Sequence, residues 1–251
     1  HGSYPEDILE RSLQLQQVLD AGAETIGHVL RVRDDISIAT NRVHAILQEY
    51  DHVTENSNKQ GRKRPWVRFE RKYAGVTIHL DWYRDDRGDH VLAVQDDASR
   101  FVFDILETDR SSAAAGVELL DSVQQLDTPM PILEVITDHG SGFVNPRQDE
   151  RPDLDHAFEG FLAENDIKHS LCKVGRPQSN EKIDRLYQTY EKHRWRLGTL
   201  DEFPTCYNEV RPHMSLDWDI LETTAEAFDR LLPRPTEDLD DPLETEVGTH
   251  G

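Results

Sequence analysis

Residues 76–107, VTIHLDWYRDDRGDHVLAVQDDASRFVFDILE, decide how the rest of the chain is read. Three apolar runs rich in β-branched residues, at 76–83, 91–95 and 101–107, are separated by RDDRGD and DDASR, short polar segments suited to tight turns. The spacing predicts three consecutive antiparallel strands. Working towards the C-terminus, the period lengthens and a helix is expected over 111–126, with Gly116, Leu119, Leu120, Val123 and Leu126 along one side. A strand at 132–137, a helix at 154–165, a strand at 167–172, a long helix at 178–197 and another at 200–210 complete the pattern. Antiparallel strands followed by alternating helices and strands indicate an α/β sheet covered on both faces.

Working towards the N-terminus, residues 5–52 read as helices. Ile8, Leu9, Leu13 and Val18 fall near helical spacing, a second helix is expected over 23–33, and a third over 37–50. In the third, Ile38, Val43, Ile46 and Leu47 form an apolar stripe and Ser37 stands where a cap is expected. A helix, a tight turn and a second helix fit a helix-turn-helix, in which Thr40, Asn41, Arg42 and His44 would face a DNA groove. The same pattern also suits a small bundle whose polar face is merely solvated. Residues 59–72, KQGRKRPWVRFERK, then gather seven basic side chains, Lys59, Arg62, Lys63, Arg64, Arg68, Arg71 and Lys72, around Trp66 and Phe69. A basic island of this density points to an anionic partner.

That island is conspicuous because the chain as a whole carries 49 acidic against 28 basic residues, a net charge of −21. Taken alone, this balance argues against nucleic acid as a partner. Acids dispersed along the whole length, with Lys scarcer than Arg, fit a surface adapted to high salt, where counterion-driven binding is suppressed in any case. With 251 residues, the chain is long enough for one sizeable domain and a smaller module. No run of about 18 apolar residues is available to span a membrane. The polar, acidic first 30 residues do not read as a signal peptide, and the start at His1 fits a fragment or a cloning scar. Two cysteines, Cys172 and Cys206, cannot build a disulfide framework or a four-cysteine zinc site, so a reducing cytoplasm is expected. The acidic, proline-containing segment at 236–251 reads as a disordered tail.

Asp81 is expected at the end of the first sheet strand, Asp138 at the end of the fourth, and Asp184 on the long helix. Carboxylates far apart in sequence and gathered by a sheet edge suit hard divalent cations that clamp the two oxygens of an in-line displacement.

Five segments carry a specific resemblance: HLDW, AVQDDASR, ITDHGSGF, GRPQSNEKIDR and YNEVRPH. In this order they resemble the motifs of insertion-sequence transposases with a retroviral-integrase-like catalytic core, over roughly residues 30–232. The resemblance implies a ribonuclease-H-like mixed sheet flanked by helices, preceded by a small helix-turn-helix module. It divides the chain into a DNA-binding region at 1–58, a basic linker at 59–72, a catalytic core at 73–235 and the tail. It also implies metal-dependent cleavage and strand transfer of DNA, with two Mg²⁺ or Mn²⁺ ions per site. The expected partners are double-stranded DNA, as element ends and target, and further copies of the chain, with no membrane. The acidic composition agrees with such elements in halophilic archaea.

By position, Asp81 and Asp138 match the two catalytic aspartates. The third motif usually reads QSNGKxER, so Asp184 stands in the place of Glu, and Glu181 in the place of Gly. Residues 181 and 184 are i and i+3 and share one helical face. The 45 residues between Asp138 and Asp184 exceed the family's usual interval, with the excess expected in the polar loop at 145–155. Asp184 as the third ligand, Glu181 in its stead, and a decayed site that still binds DNA are the three readings of this position. Arg176, Lys182 and Arg185 are candidate phosphate contacts, with Gln178 and Asn180 as polar neighbours. His139 is a candidate for orienting a ligand or DNA end, and Tyr207, Asn208, Arg211, Pro212 and His213 are expected to buttress the catalytic helix.

Overall fold

A computed structural model describes residues 5–50, 68–145, 156–172, 181–234, 242–243 and 245–248, with the backbone alone for 68–70 and 245–248. The chain divides into two units, one formed by residues 1–66 with 210–222, the other by 67–209 with 223–251.

In the first unit, helices α1 (Glu6–Leu19), α2 (Ala23–Arg33) and α3 (Thr40–Glu49) bury Leu15, Leu19, Ile26, Val29, Leu30, Val43, Ile46 and Leu47 against one another. Helix α3 begins later than its sequence suggests. Asp35 takes a left-handed φ of 54°, Ile38 is drawn into the core, and the chain stays non-helical to Ala39, the residue that precedes the helix. Ser37 is therefore not a cap. Thr40, Asn41, Arg42 and His44 are exposed.

Residues 210–222 return to this unit. Trp218 stacks on His28 with ring centroids 5.2 Å apart, and Leu221 enters the helical core. His28 Nε2 lies 2.8 Å from the Trp218 carbonyl, and Arg211 donates to the Leu19 carbonyl at 2.8 Å. His213 pairs with Ser215 at 2.8 Å and meets Glu222 through the backbone. Arg211, Pro212 and His213 thus belong to the helical unit, whereas the helix that they were expected to buttress belongs to the other. Burying Leu221 and stacking Trp218 give this segment more than its polar residues would gain against the sheet.

The second unit is built on a five-stranded sheet in the order β4-β3-β2-β5-β6. Its strands are β2 (Thr77–Arg84), β3 (His90–Asp96), β4 (Val102–Thr108), β5 (Glu134–Thr137) and β6 (Lys168–Leu171). The first three pair antiparallel, while β5 and β6 run parallel to β2. The observed architecture is the expected ribonuclease-H-like mixed sheet flanked by helices. Alternation along β2 sends Ile78 and Leu80 into a core with α4 (Ala113–Gln124) and α5 (Ala157–Glu164). His79, Asp81 and Tyr83 point to the opposite face, covered by α6 (Glu181–His193), α7 (Glu202–Thr205) and the wide helical turn Cys206–Val210. Helix α8 (Thr224–Leu231) packs Phe228 against Phe101 and Phe103.

Two further expectations change. Residues 245–248 fall within the stretch read as a disordered tail, and 68–71 within the stretch read as a linker. Strand β1 (Arg68–Arg71) nevertheless pairs antiparallel with β7 (Thr245–Gly248). Backbone pairing satisfies both segments' amides, whatever their charge pattern. Helix α6 ends at His193, and Arg194–Arg196 tightens into a 3₁₀ turn.

Candidate active site

The parallel pairing of β2 with β5 sets Thr77 beside Glu134, Ile78 beside Val135 and His79 beside Ile136. This pairing ends two residues before Asp81 on β2 and two residues before Asp138 on the other chain segment. The last pair, His79 and Ile136, shares a sheet face, and on β2 that face is the one covered by α6. Asp138 follows the last residue of its strand, as expected. Asp81 does not end β2, because the antiparallel partner β3 prolongs the strand to Arg84 after β5 has stopped.

The loop after β5 is shaped around Asp138. Its carboxylate accepts the Gly140 amide at 2.8 Å. A Cβ at Gly140 would lie 2.8 Å from Asp138 Oδ1, and one at Gly142 would lie 2.9 Å from Trp82 Nε1. The glycines of DHGSG let this loop close over the carboxylate and the adjoining indole. His139 is exposed beside them.

Helix α6 crosses the same face with Ile183, Leu186, Tyr187 and Tyr190 buried. Tyr187 donates to the Asp81 carbonyl at 2.5 Å and stacks on Tyr83 with centroids 4.8 Å apart. Burial, followed by the Asp81 carboxylate, raises the Tyr187 phenol well above its ordinary range, so it stays a donor. Asp81 is buried, and Asp184 sits on the exposed shoulder of the helix. Partial burial and then the Glu181 carboxylate push Asp184 up, while His79 pulls it down. Glu181 accepts Arg185 at 2.6 Å, whereas Asp184 has no hydrogen bond or ion pair among the described residues.

The hard oxygen donors suit a divalent cation between Asp81 and Asp138. Among the described residues, no three His, Cys, Asp or Glu side chains converge closely enough to form a complete ligand group. The oxygen donors of Asp81 and Asp138 are of the kind that suits such a cation, and among the described residues no third carboxylate completes them.

The candidate phosphate contacts fare differently. Lys182 Nζ lies 2.6 Å from Asp97 Oδ2 and 3.1 Å from the Asp97 carbonyl, so it serves the interior of the unit and not an open backbone site. Arg185 is engaged by Glu181, and Arg71 by the buried Glu134 and the Leu243 carbonyl. Lys72 lies over the Tyr73 ring at 4.9 Å. Lys59, Arg62, Lys63, Arg64, Arg176, Gln178, Asn180 and the excess loop from residue 146 lie outside the described residues, as does the side chain of Arg68. Tyr207 packs with α6, and Asn208 binds the start of β4.

The sequence reading missed the buried group around Asp97. His79 Nε2 meets Asp97 Oδ1 at 2.6 Å, and the two side chains and Lys182 are 2%, 7% and 19% exposed. Burial lowers the His79 pKa despite the Asp97 bond. Burial alone would raise Asp97, but Lys182 and His79 outweigh it and keep the carboxylate ionised. Adjacent acids in DDASR, followed by a Lys on the third motif, were the available signal.

No protein-family model matches the chain. A search of curated proteins finds similarity to "Putative integrase ORF3" of Spiroplasma virus SpV1-C74, 33% identical over 130 residues. The match spans 47% of this chain and 35% of that protein. Among solved structures, the catalytic core domain of BIV integrase aligns over 62% of this chain and 95% of its own, at 13% identity and a TM-score of 0.45. A chain of the simian T-cell lymphotropic virus intasome in complex with PP2A regulatory subunit B56 gamma aligns over 90% of this chain and 78% of its own, at 15% identity and a TM-score of 0.48. By sequence, then, the chain is similar over about half its length to about a third of that viral protein.

Proposed function

We propose that this chain is a DNA strand-transferase of a mobile element, with Asp81 and Asp138 as the cation-holding pair and Asp184 as the third carboxylate. The observation that carries this reading is the register of β2 and β5, which ends two residues before each of the two carboxylates and supports their meeting at one sheet edge. Mg²⁺ or Mn²⁺ bound there supplies the positive charge that stabilises an in-line displacement at a phosphodiester.

The chain's own groups do the positioning. Gly140 turns the Asp138 carboxylate, Tyr187 holds the backbone of Asp81, and the buried face of α6 sets the height of Asp184. Asp184 is favoured over Glu181 because Glu181 is engaged by Arg185. Duplex DNA, presented as element ends and target, is the substrate in this reading. The helical unit and the basic island at 59–72 bind it, and several copies of the chain act on paired ends. The acidic composition suits this work to a salt-rich interior.

The test is strand cleavage and joining by the full chain in Mg²⁺ or Mn²⁺ at high KCl. The substrates are duplex oligonucleotides taken from the DNA flanking the coding sequence. Wild type is expected to cut and join, Asp138→Asn and Asp184→Asn to lose at least a hundredfold in rate, and Glu181→Gly to retain activity. Specific binding without cleavage by wild type would make the chain a DNA-binding relative and end the enzymatic reading.

A further inference from the structure

The Tyr187 hydroxyl bonds the Asp81 carbonyl from the second turn of α6, whereas apolar burial of Ile183 holds the first turn, through contacts that are largely non-directional. Alone they leave that turn free to shift slightly about the helix axis. A 20° rotation displaces a side-chain tip, about 5–6 Å from the axis, by roughly 2 Å. A misplacement of about 1 Å can cost about a hundredfold in rate. Something with direction has to set the rotation of the turn that carries Asp184.

Resting on the function proposed above, we propose that Lys182 is a positioning residue. Through Asp97 it locks the first turn of α6, and with it Asp184, to the strand that carries Asp81. Asp97 is the shared anchor. One carboxylate oxygen takes Lys182 at 2.6 Å and the other takes His79 at 2.6 Å, while the Asp97 amide donates to the Thr77 carbonyl at 2.9 Å. His79 lies two residues before Asp81 on the same strand face, and Lys182 lies two residues before Asp184. A second bond from Lys182, 3.1 Å to the Asp97 carbonyl, fixes the ammonium at two points on one residue. Charge-assisted bonds of this kind are short and directional. The pair is also buried, so its desolvation cost limits what it adds to stability. What it supplies is orientation.

The variants are Lys182→Met, which keeps the stem and removes the charge, Lys182→Arg and Asp97→Asn, all in the full chain. Three readouts are taken: kcat and KM for strand cleavage in Mn²⁺, thermal stability, and amide hydrogen exchange across residues 181–187 without metal. Lys182→Met leaves the buried Asp97 without its main partner and should melt several degrees lower; assayed well below that temperature, where it is fully folded, the clamp predicts that it loses at least tenfold in kcat. Its KM for DNA should stay within twofold, and the first turn of α6 should exchange at least tenfold faster. Lys182→Arg should recover part of the kcat. A raised KM with unchanged kcat and unchanged exchange would make Lys182 a DNA contact and overturn the proposal, as would no change in any readout. If wild type does not cleave, the proposed function falls, and exchange alone then decides the clamp: faster in Lys182→Met supports it, unchanged rejects it. Should Lys182→Met fail to fold, the same readouts on Asp97→Asn decide by the same criteria.

Discussion

Asp96 and Asp97 are adjacent and buried, and they are driven in opposite directions. Burial pushes Asp96 up to about 6 against hydrogen bonds from Ser99 and Gly75, while Lys182 and His79 keep its neighbour ionised. A folded pKa above the unfolded value, about 4 for Asp, means the folded state binds this proton more tightly. The resulting stability is fully present below about pH 4 and is lost as pH rises through about 6. Asp96→Asn removes the contribution. The unfolding free energy of wild type minus that of this variant is therefore expected to fall between pH 4 and pH 7, as followed by urea denaturation at several pH values. A difference that grows with pH would mean that Asp96 is ionised in the native state. Nothing in the string QDDASR separates the two acids. Their distinction comes from which one the lysine of a distant helix reaches.

At the scale of elements, the turn after α7 is where a sequence motif acquires a mechanical role. Asn208 accepts the Val102 amide at 2.9 Å, donates to the Val102 carbonyl at 2.8 Å and accepts the Thr224 hydroxyl at 2.9 Å. One buried side chain thus pins the start of β4 and the first turn of α8. Removing it leaves buried backbone groups unpaired, and Asn208→Ala is expected to cost about 2–4 kcal/mol in chemical denaturation. A loss below about 0.5 kcal/mol would show that water or a shifted strand replaces these bonds. The motif YNEVRPH was legible as a block, but not its division. Tyr207 and Asn208 serve the sheet, whereas Arg211 and His213 serve the helical unit, because the chain leaves one core for the other at Val210.

For the whole molecule, the net charge of −21 sets the response to salt. Self-repulsion among dispersed carboxylates opposes compaction. Raising ionic strength from about 0.1 M to about 1 M shortens the screening length from about 10 Å to about 3 Å. The melting temperature is expected to rise with KCl over that range in a thermal denaturation series. A fall would mean that ion pairs such as Arg11–Asp34 and Lys168–Glu134 outweigh the repulsion. Among the described residues no helix is long and apolar enough to cross a membrane.

The sequence by itself determined the strands, their alternation and the helices between them, because periodicity is a local property that each segment carries alone. It also singled out Asp81, Asp138 and the ambiguous pair Glu181 and Asp184, because their motifs are local too. Only the tertiary structure decided that Asp81 lies within its strand, that β2 pairs in parallel with the strand leading to Asp138, and that Lys182 turns inward to Asp97. Those facts depend on the register between distant strands and on the rotation of a helix against a sheet. Burial and hydrogen bonding across the fold set both, beyond the reach of any single stretch of sequence.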